Sequence, residues 1–367
     1  MQMIDLKLLA PAGAGLLLSF SSTADRVAFA PETGLSVTRT IENVMTMDLE
    51  DFVMDLDGQD MTAMFGGIPE MSMTNTTSVT VTDEYVEMAE GRPAKLKRTF
   101  EAVGNETLVD VAMMGEGETQ ETAMTSRLEG AEVVFTWDTE AGEFVASYAD
   151  EEDDRDPEML RGLEEDMDLR SLLPGREVEV GESWDIPLDA FFSLILPGGN
   201  LALEPEGGMG EMEDVDMGQI NELMDSMMAD YADSMESLLD GERKATYQGM
   251  REVEGGKLAV ITLTIDTDGV LDFSDMIMDM MDRVGDISEM PMEFDMAIAA
   301  ADLMLTVEGE GELLWDARRG IFRSMELEVD MSMGMEMAMD MDMGGESATM
   351  DMAVEFSGEM QSSFTAE

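Results

Sequence analysis

Met325–Met343 reads MELEVDMSMGMEMAMDMDM. Every odd position is apolar, from Met325, Leu327 and Val329 through Met331 to Met343, and most even positions are Glu, Asp, Ser or Gly. A two-residue period puts all the apolar side chains on one face of a β-strand, whereas a helix would scatter them around its axis. At about 3.3 Å per residue the strand is roughly 60 Å long. Few strands run that far unbroken, so a bend or bulge is expected near Gly334 and Gly358.

Gly344-Gly345 can take the positive φ values of a two-residue hairpin turn. That turn sets Met343 opposite Glu346 and propagates a register. Met339 faces Met350, Met337 faces Met352, Met335 faces Val354 and Met333 faces Phe356. Farther on, Val329 faces Met360 and Met325 faces Phe364. Asp340 with Thr349, Glu336 with Ala353 and Glu328 with Gln361 fall on the other face. A one-residue slip would oppose the two patterns, so the pairing is strongly specified.

The 367 residues carry 83 acidic and 20 basic side chains, a formal charge of -63. That balance excludes nucleic acid as a partner, because binding phosphates needs a basic surface. It disfavours anionic membrane surfaces and implies weak, diffuse cation binding. Cysteine and histidine are both absent. Disulfides, thiol catalysis, His-based metal sites and Ser-His or Cys-His nucleophiles are therefore impossible.

Residues 1–30 read as a secretory signal, with a structural first strand as the alternative. Lys7 precedes an apolar run to Phe20, and small-residue sites follow at Ser22-Thr23-Ala24 and Ala28-Phe29-Ala30. The run is too short and too rich in Gly and Pro to span a bilayer, and no transmembrane anchor is expected elsewhere. The expected location is exported: periplasm, cell envelope or extracellular space.

Residues 31–150 form an N-terminal β-rich half, with strand patterns around Met71–Val81, Lys95–Phe100 and Val133–Trp137. Apolar residues change phase between Met45, Met47, Leu49 and Phe52, Met54, Leu56, which predicts a bulge or break near Asp51. Residues 151–218 comprise an acidic connector, a helix over 157–172 capped by Asp156 with Pro157 in its first turn, and a Gly/Met-rich loop. Residues 219–367 form a C-terminal half. It opens with a helix over 219–240, whose apolar residues Ile220 to Leu239 keep helical spacing and which Gly241 stops. A shorter helix is expected over 274–284. Strands at Lys244–Val253 and Leu258–Asp266 and the meander Leu303–Trp315, Ile321–Met343 and Glu346–Phe364 complete it. Trp137-Asp138 to Phe144 and Trp315-Asp316 to Phe322 share the pattern W-D-x-x-x-G-x-F, a turn opened by Asp with a Gly available for positive φ. It reads either as a duplication or as a common hairpin met twice.

Three constellations could carry chemistry. The 42 methionines include a repeated Met-x-Met, and thioethers suit Cu(I) or Ag(I); Met is equally an ordinary gap-filling core residue. Asp55–Asp60 and Asp266–Gly269 resemble pieces of calcium loops. Their Gly comes fourth rather than sixth, so they read as turns, and no metal site is assigned. No pair stands out among the carboxylates for acid–base work, and no phosphate loop or nucleophile motif occurs. No catalytic residue and no cofactor is expected. Asn75-Thr76-Thr77 and Asn105-Glu106-Thr107 fit the glycosylation acceptor pattern, which is too common to carry an inference.

The segments Val81-Thr82-Asp83-Glu84-Tyr85, Gly91-Arg92-Pro93, Arg98-Thr99-Phe100, Leu173-Pro174-Gly175 and Val180-Gly181-Glu182-Ser183-Trp184 resemble exported bacterial, planctomycete-type proteins of unknown function. In outline the chain is also similar to LolA/LppX-type lipid-carrier half-barrels. That resemblance implies a fold and no site residue.

The expected fold is mainly β (α+β): a long antiparallel meander or half-barrel sheet with a few amphipathic helices covering one face. The candidate binding surface is the apolar face built by Met333, Met335, Met337, Met339, Met350, Met352 and Phe356, since Met surfaces adapt to varied apolar partners. The expected function is non-enzymatic binding of a lipid or other apolar ligand. The alternatives are a structural or interaction protein of the envelope without ligand, and a Met-rich Cu(I)/Ag(I)-binding protein.

Overall fold

A computed structural model describes residues 25–62, 68–113, 116–150, 152–205, 239–254, 256–274, 277–278, 295–342 and 347–367. In chain order these form β1 (Asp25–Arg26), β2 (Ser36–Leu56), β3 (Gln59–Asp60), β4 (Glu70–Ala89), β5 (Arg92–Met113), β6 (Glu116–Ser126), β7 (Glu132–Asp138) and β8 (Glu143–Tyr148). There follow β9 (Glu177–Val178), β10 (Ser183–Asp185), α1 (Leu188–Ile195), β11 (Leu203–Pro205), β12 (Leu239–Val253), β13 (Gly256–Asp272), β14 (Asp295–Asp316), β15 (Ile321–Asp342) and β16 (Ser347–Ala366).

All but β1 and β9, which pair with each other, join one 14-stranded antiparallel sheet. Its order is β10-β12-β13-β14-β15-β16-β2-β4-β5-β6-β11, with β3 on β2, β7 on β5 and β8 on β7. The sheet is mainly a meander and stays open. The longest departure from sequence order is the seam, where the last strand, β16, pairs with β2 from Ala366↔Arg39 to Met350↔Leu56. The C-terminal and N-terminal halves thereby share one sheet.

The expected register of the long hairpin holds. Met339 pairs with Met350, Met337 with Met352, Met335 with Val354, Met333 with Phe356, Val329 with Met360 and Met325 with Phe364. The Gly344-Gly345 turn itself lies outside the described residues. The β15–β16 ladder runs through Gly334 and Gly358 without a register shift, so neither glycine is a bulge there; the nearest irregularity is on the other side of β16, between Glu355 and Phe356. These glycines serve close approach instead: a Cβ on Gly358 would collide with the Met47 sulfur, and one on Gly334 would meet the Met304 methyl at 2.9 Å. The bulge expected near Asp51 is present. Asp51 pairs with Glu355 and Leu49 with Phe356, leaving Glu50 as the extra residue. It turns Phe52, Met54 and Leu56 back to the face of Met47 and Leu49.

Both W-D-x-x-x-G-x-F segments make the same hairpin. Trp137 pairs with Phe144 and Trp315 with Phe322. Asp138 Oδ1 accepts from Glu140 N and Ala141 N at 2.8 and 3.1 Å, and Asp316 Oδ1 from Arg318 N and Arg319 N at 3.0 and 3.2 Å. Gly142 and Gly320 have φ of 76° and 68°. Asp55–Asp60 is likewise a hairpin, turned by Asp57 and Gly58 at positive φ. Asp266–Gly269 lies within β13.

The helix expected over 157–172 is corrected to two short 3-10 turns, Pro157–Leu160 and Arg170–Leu172. Asp156 does cap the first, accepting from Glu158 N at 3.0 Å. The helix fails beyond it because Gly162 and Leu169 adopt positive φ and Asp166 and Asp168 accept from backbone N–H two residues on. Such local bonds compete with helical ones. Arg98 also takes the Glu164 and Glu165 carbonyls. Of the helix expected over 219–240, residues 219–238 lie outside the described residues, while Leu239 and Asp240 begin β12 and Gly241 is a strand residue. Of 274–284, residues 274, 277 and 278 are helical and the others lie outside the described residues.

The core lies at one end of the sheet, where β2, β4, β5, β13, β14, β15 and β16 bury Ile41, Val79, Phe100, Ile261, Trp315, Met325 and Phe364. Residues 152–203 cover it, with α1 placing Leu188, Phe191 and Leu194 inward. The segment after β1 also belongs to it: Val27 is fully buried and Ala30 N donates to Gly320 O at 3.1 Å. Signal cleavage after Ala24 would spare this segment, and cleavage after Ala30 would remove it.

Candidate functional site

Directly opposed residues in antiparallel strands share a face, so the inner face can be followed row by row across the ladders. Nearest the covered end, Tyr247, Ile261, Leu313, Met325, Phe364, Ile41, Val79 and Val103 form one row, and all are buried.

Next comes a polar belt. Ala245, Leu263, Gly311 and Leu327 lead to Ser362, Asn43, Thr77 and Asn105 in one row. In the next, Arg243, Ile265, Gly309, Val329, Met360 and Met45 lead to Asn75 and Thr107. Here the two acceptor-like tripeptides acquire a structural meaning. Spacing of two puts Asn75 with Thr77, and Asn105 with Thr107, on one face of β4 and β5. Asn105 Nδ2 donates to Asn75 Oδ1 and Thr77 Oγ1, each at 2.9 Å, and Asn75 Nδ2 to Thr107 Oγ1 at 2.9 Å. Each Thr completes the amide of the facing strand. Asn43 Nδ2 donates to the Leu194 and Ile195 carbonyls at 3.2 and 3.1 Å, tying the end of α1 to the belt.

Beyond the belt the face becomes methionine-lined. Met331 leads to Gly358, Met47 and Met73; Met333 to Leu305, Phe356 and Leu49; Met335 to Leu303, Val354 and Phe52. Met337 leads to Ala301, Met352 and Met54, and Met339 to Ile298, Met350 and Leu56. The structure thus brings all seven candidate residues onto one continuous surface. Met333, Met335, Met337, Met339, Met350, Met352 and Phe356 are each half-buried, whereas Leu327, Val329 and Met360 on the same strands are buried. The opposite face of these strands carries exposed Asp330, Glu336, Asp340, Asp351 and Glu355.

A second constellation escaped the sequence reading although three of its residues, Asp83, Tyr85 and Arg98, stood in the segments quoted for the resemblance. Asp83, fully inside, receives Arg98 side-on at 2.8 and 2.9 Å and Arg39 on its other side. Arg39 also donates to the Tyr85 hydroxyl, which donates to Asp168 Oδ2 at 3.3 Å. Arg170 closes the group, meeting Asp168 Oδ2 at 2.9 Å and pairing with Glu165. Arg39 lies 5.7 Å from the ring centres of both Tyr85 and Phe322. The signal was available: Asp83, Tyr85 and Arg98 interrupt apolar core positions of β4 and β5. The 164–170 loop, which completes the group, is not readable from strand periodicity.

Burial alone would raise the Asp83 carboxyl, yet Arg98 and Arg39 together hold it below the ordinary carboxylate range. Asp168 goes the other way. Burial, reinforced by Asp166 and opposed by Arg170 and Arg39, pushes it up to about 7. The signs differ accordingly. Asp168 binds its proton more tightly in the folded protein, so its stabilising contribution is complete below its ordinary value of 3.8 and is lost as pH rises through about 7. The contribution of Asp83 is present above the ordinary range and lost on acidification. Asp168→Asn is expected to flatten the decline in stability between about pH 4 and pH 7, read from urea midpoints across that range. An unchanged pH slope would show that Asp168 is ionised throughout.

Among the described residues no helix is long and apolar enough to cross a membrane, and no three Asp or Glu are grouped to hold a metal ion. No protein-family model matches the chain, and no curated protein does. The crystal structure of the outer membrane protein OprG from Pseudomonas aeruginosa aligns over 91% of this chain and 97% of that chain, at 8% identity and a TM-score of 0.21. Likeness at that score carries no argument about fold or function, and the comparisons lend no support to the planctomycete-type or LolA/LppX-type resemblance.

Proposed function

We propose that this is an exported, non-enzymatic protein that binds an apolar, acyl-chain ligand on the methionine-lined end of its inner face. One observation carries the reading. The Met, Leu and Phe side chains of this face are mostly half-buried, with Met47, Ile298, Ala301 and Val354 buried among them, while the same strands bury their side chains fully on the other side of a polar belt. Thioether side chains are flexible and polarizable, so such a surface can adapt to a chain without a fixed shape. The acidic outer face offers an apolar partner no comparable surface, so the ligand meets the inner face.

Native mass spectrometry of the full chain, exported and purified without detergent, tests this. The expected result is a bound mass of lipid size. Met337→Glu, which places a charge in the middle of the face, should lower the affinity for a fluorescent acyl probe by about tenfold or more with little change in melting temperature. A bare protein that ignores acyl probes would overturn the reading in favour of an envelope structural protein. Stoichiometric Ag⁺ uptake in its place would point to a soft-metal binder.

A further inference from the structure

We infer that Arg243 is the headgroup site of this ligand, and hence that the ligand is a long-chain carboxylate; the inference rests on the binding surface proposed above. Arg243 sits on β12 at the margin of the polar belt, directly opposite Ile265, with Gly309, Val329 and Met360 continuing its row. Its Nε and Nη1 are buried and have no hydrogen-bond partner. Among the described residues it forms no ion pair.

Two facts make this isolation informative. The chain holds 83 acidic against 20 basic residues, so carboxylates to neutralise an arginine are abundant. The arginines buried beneath the inner face have acidic partners: Arg39 and Arg98 meet Asp83, and Arg170 meets Asp168 and Glu165. A guanidinium stays charged at any working pH, and its N–H groups cost free energy when buried without acceptors. A carboxylate can reach one edge of the guanidinium and so lowers that cost, and one cation matches one carboxylate.

The geometry fits an amphiphile. Met333 lies four residues further along the strands than the Arg243 row and three strands across, on β15. With about 3.3 Å per residue and about 4.8 Å per strand, the two are about 20 Å apart over the same face. A head at Arg243 leaves a long acyl chain to run diagonally over Leu305 and Met333 toward Met337 and Met352.

The test compares palmitate with hexadecanol, which share a chain and differ in head charge, by titration into the detergent-free full chain and into R243L and R243K. Wild type should prefer palmitate. R243L should weaken palmitate about tenfold or more and leave hexadecanol unchanged, with R243K between. Ligand-free R243L should melt at or above the wild-type temperature, because a half-buried guanidinium with unpartnered Nε and Nη1 is gone. Palmitate affinity indifferent to R243L would overturn the assignment while leaving the apolar surface standing. So would equal loss of both probes in an R243L that melts lower, which would make Arg243 a packing residue. If neither probe binds wild type, the binding surface and this assignment fall together.

Discussion

Asp83→Ala is expected to destabilise the protein by about 3–5 kcal/mol, a large share of the roughly 5–15 kcal/mol that holds a typical domain folded. The reason is what it leaves behind. Arg39 and Arg98 are both fully buried, and Asp83 is the carboxylate that each contacts directly. Without it Arg98 keeps two backbone carbonyls and Arg39 keeps the Tyr85 hydroxyl, but two positive charges face each other in the core. Urea denaturation should show a lower midpoint with an unchanged slope. A double-mutant cycle with Arg98→Met sharpens the test: removing both partners should cost clearly less than the two single losses added. Additive losses would mean that the pair contributes no coupling and that the cluster is held by its packing.

Trp315→Ala should cost a similar amount, about 3–5 kcal/mol. Trp315 is fully buried on β14 beside Phe322, and its Nε1 donates to Ala28 O at 3.3 Å. Truncation removes a large apolar side chain and unseats the 27–30 segment, which also bonds to Gly320 at the adjacent turn. Trp137 supplies the internal control. It occupies the same place in the same hairpin motif but is half-buried, packed edge-on to Phe144 at 5.0 Å and beneath Arg92 at 3.6 Å. Trp137→Ala is expected to cost well under half as much, since less apolar surface leaves contact. Equal losses at the two positions would place the energy of the motif in its turn rather than in burial.

The two tryptophans show how much of this molecule can be read in one dimension. The turn is local: Asp138 and Asp316 bond backbone N–H groups two and three residues on, so the motif announces it twice. The burial is not local, because it depends on a segment nearly three hundred residues away in the chain for Trp315 and on Arg92 for Trp137. The candidate site divides in the same way. Alternation placed Met333 to Met352 on one face, and the register across the hairpin needed only that pattern. The phase change at Glu50 was legible for the same reason. The missed features are Arg98 drawing the 164–170 loop out of helical geometry, which needs distant partners, and α1, whose eight residues are too few for the i, i+4 spacing of Asp189 and Ser193 to stand out.

By itself, then, the amino-acid sequence determined the strand class, the pairing of β15 with β16 and the chemistry that is impossible without cysteine and histidine. Those follow from nearest-neighbour physics: a period of two, a turn that tolerates positive φ, and the presence or absence of side-chain types. Tertiary structure alone decided that β16 closes against β2, that the amides of Asn75 and Asn105 satisfy each other, and that Arg243 is left without an acceptor. It also decided where the methionine face stops being core. Each of these depends on which distant strand arrives alongside, and burial and hydrogen-bond satisfaction exist only once it has arrived.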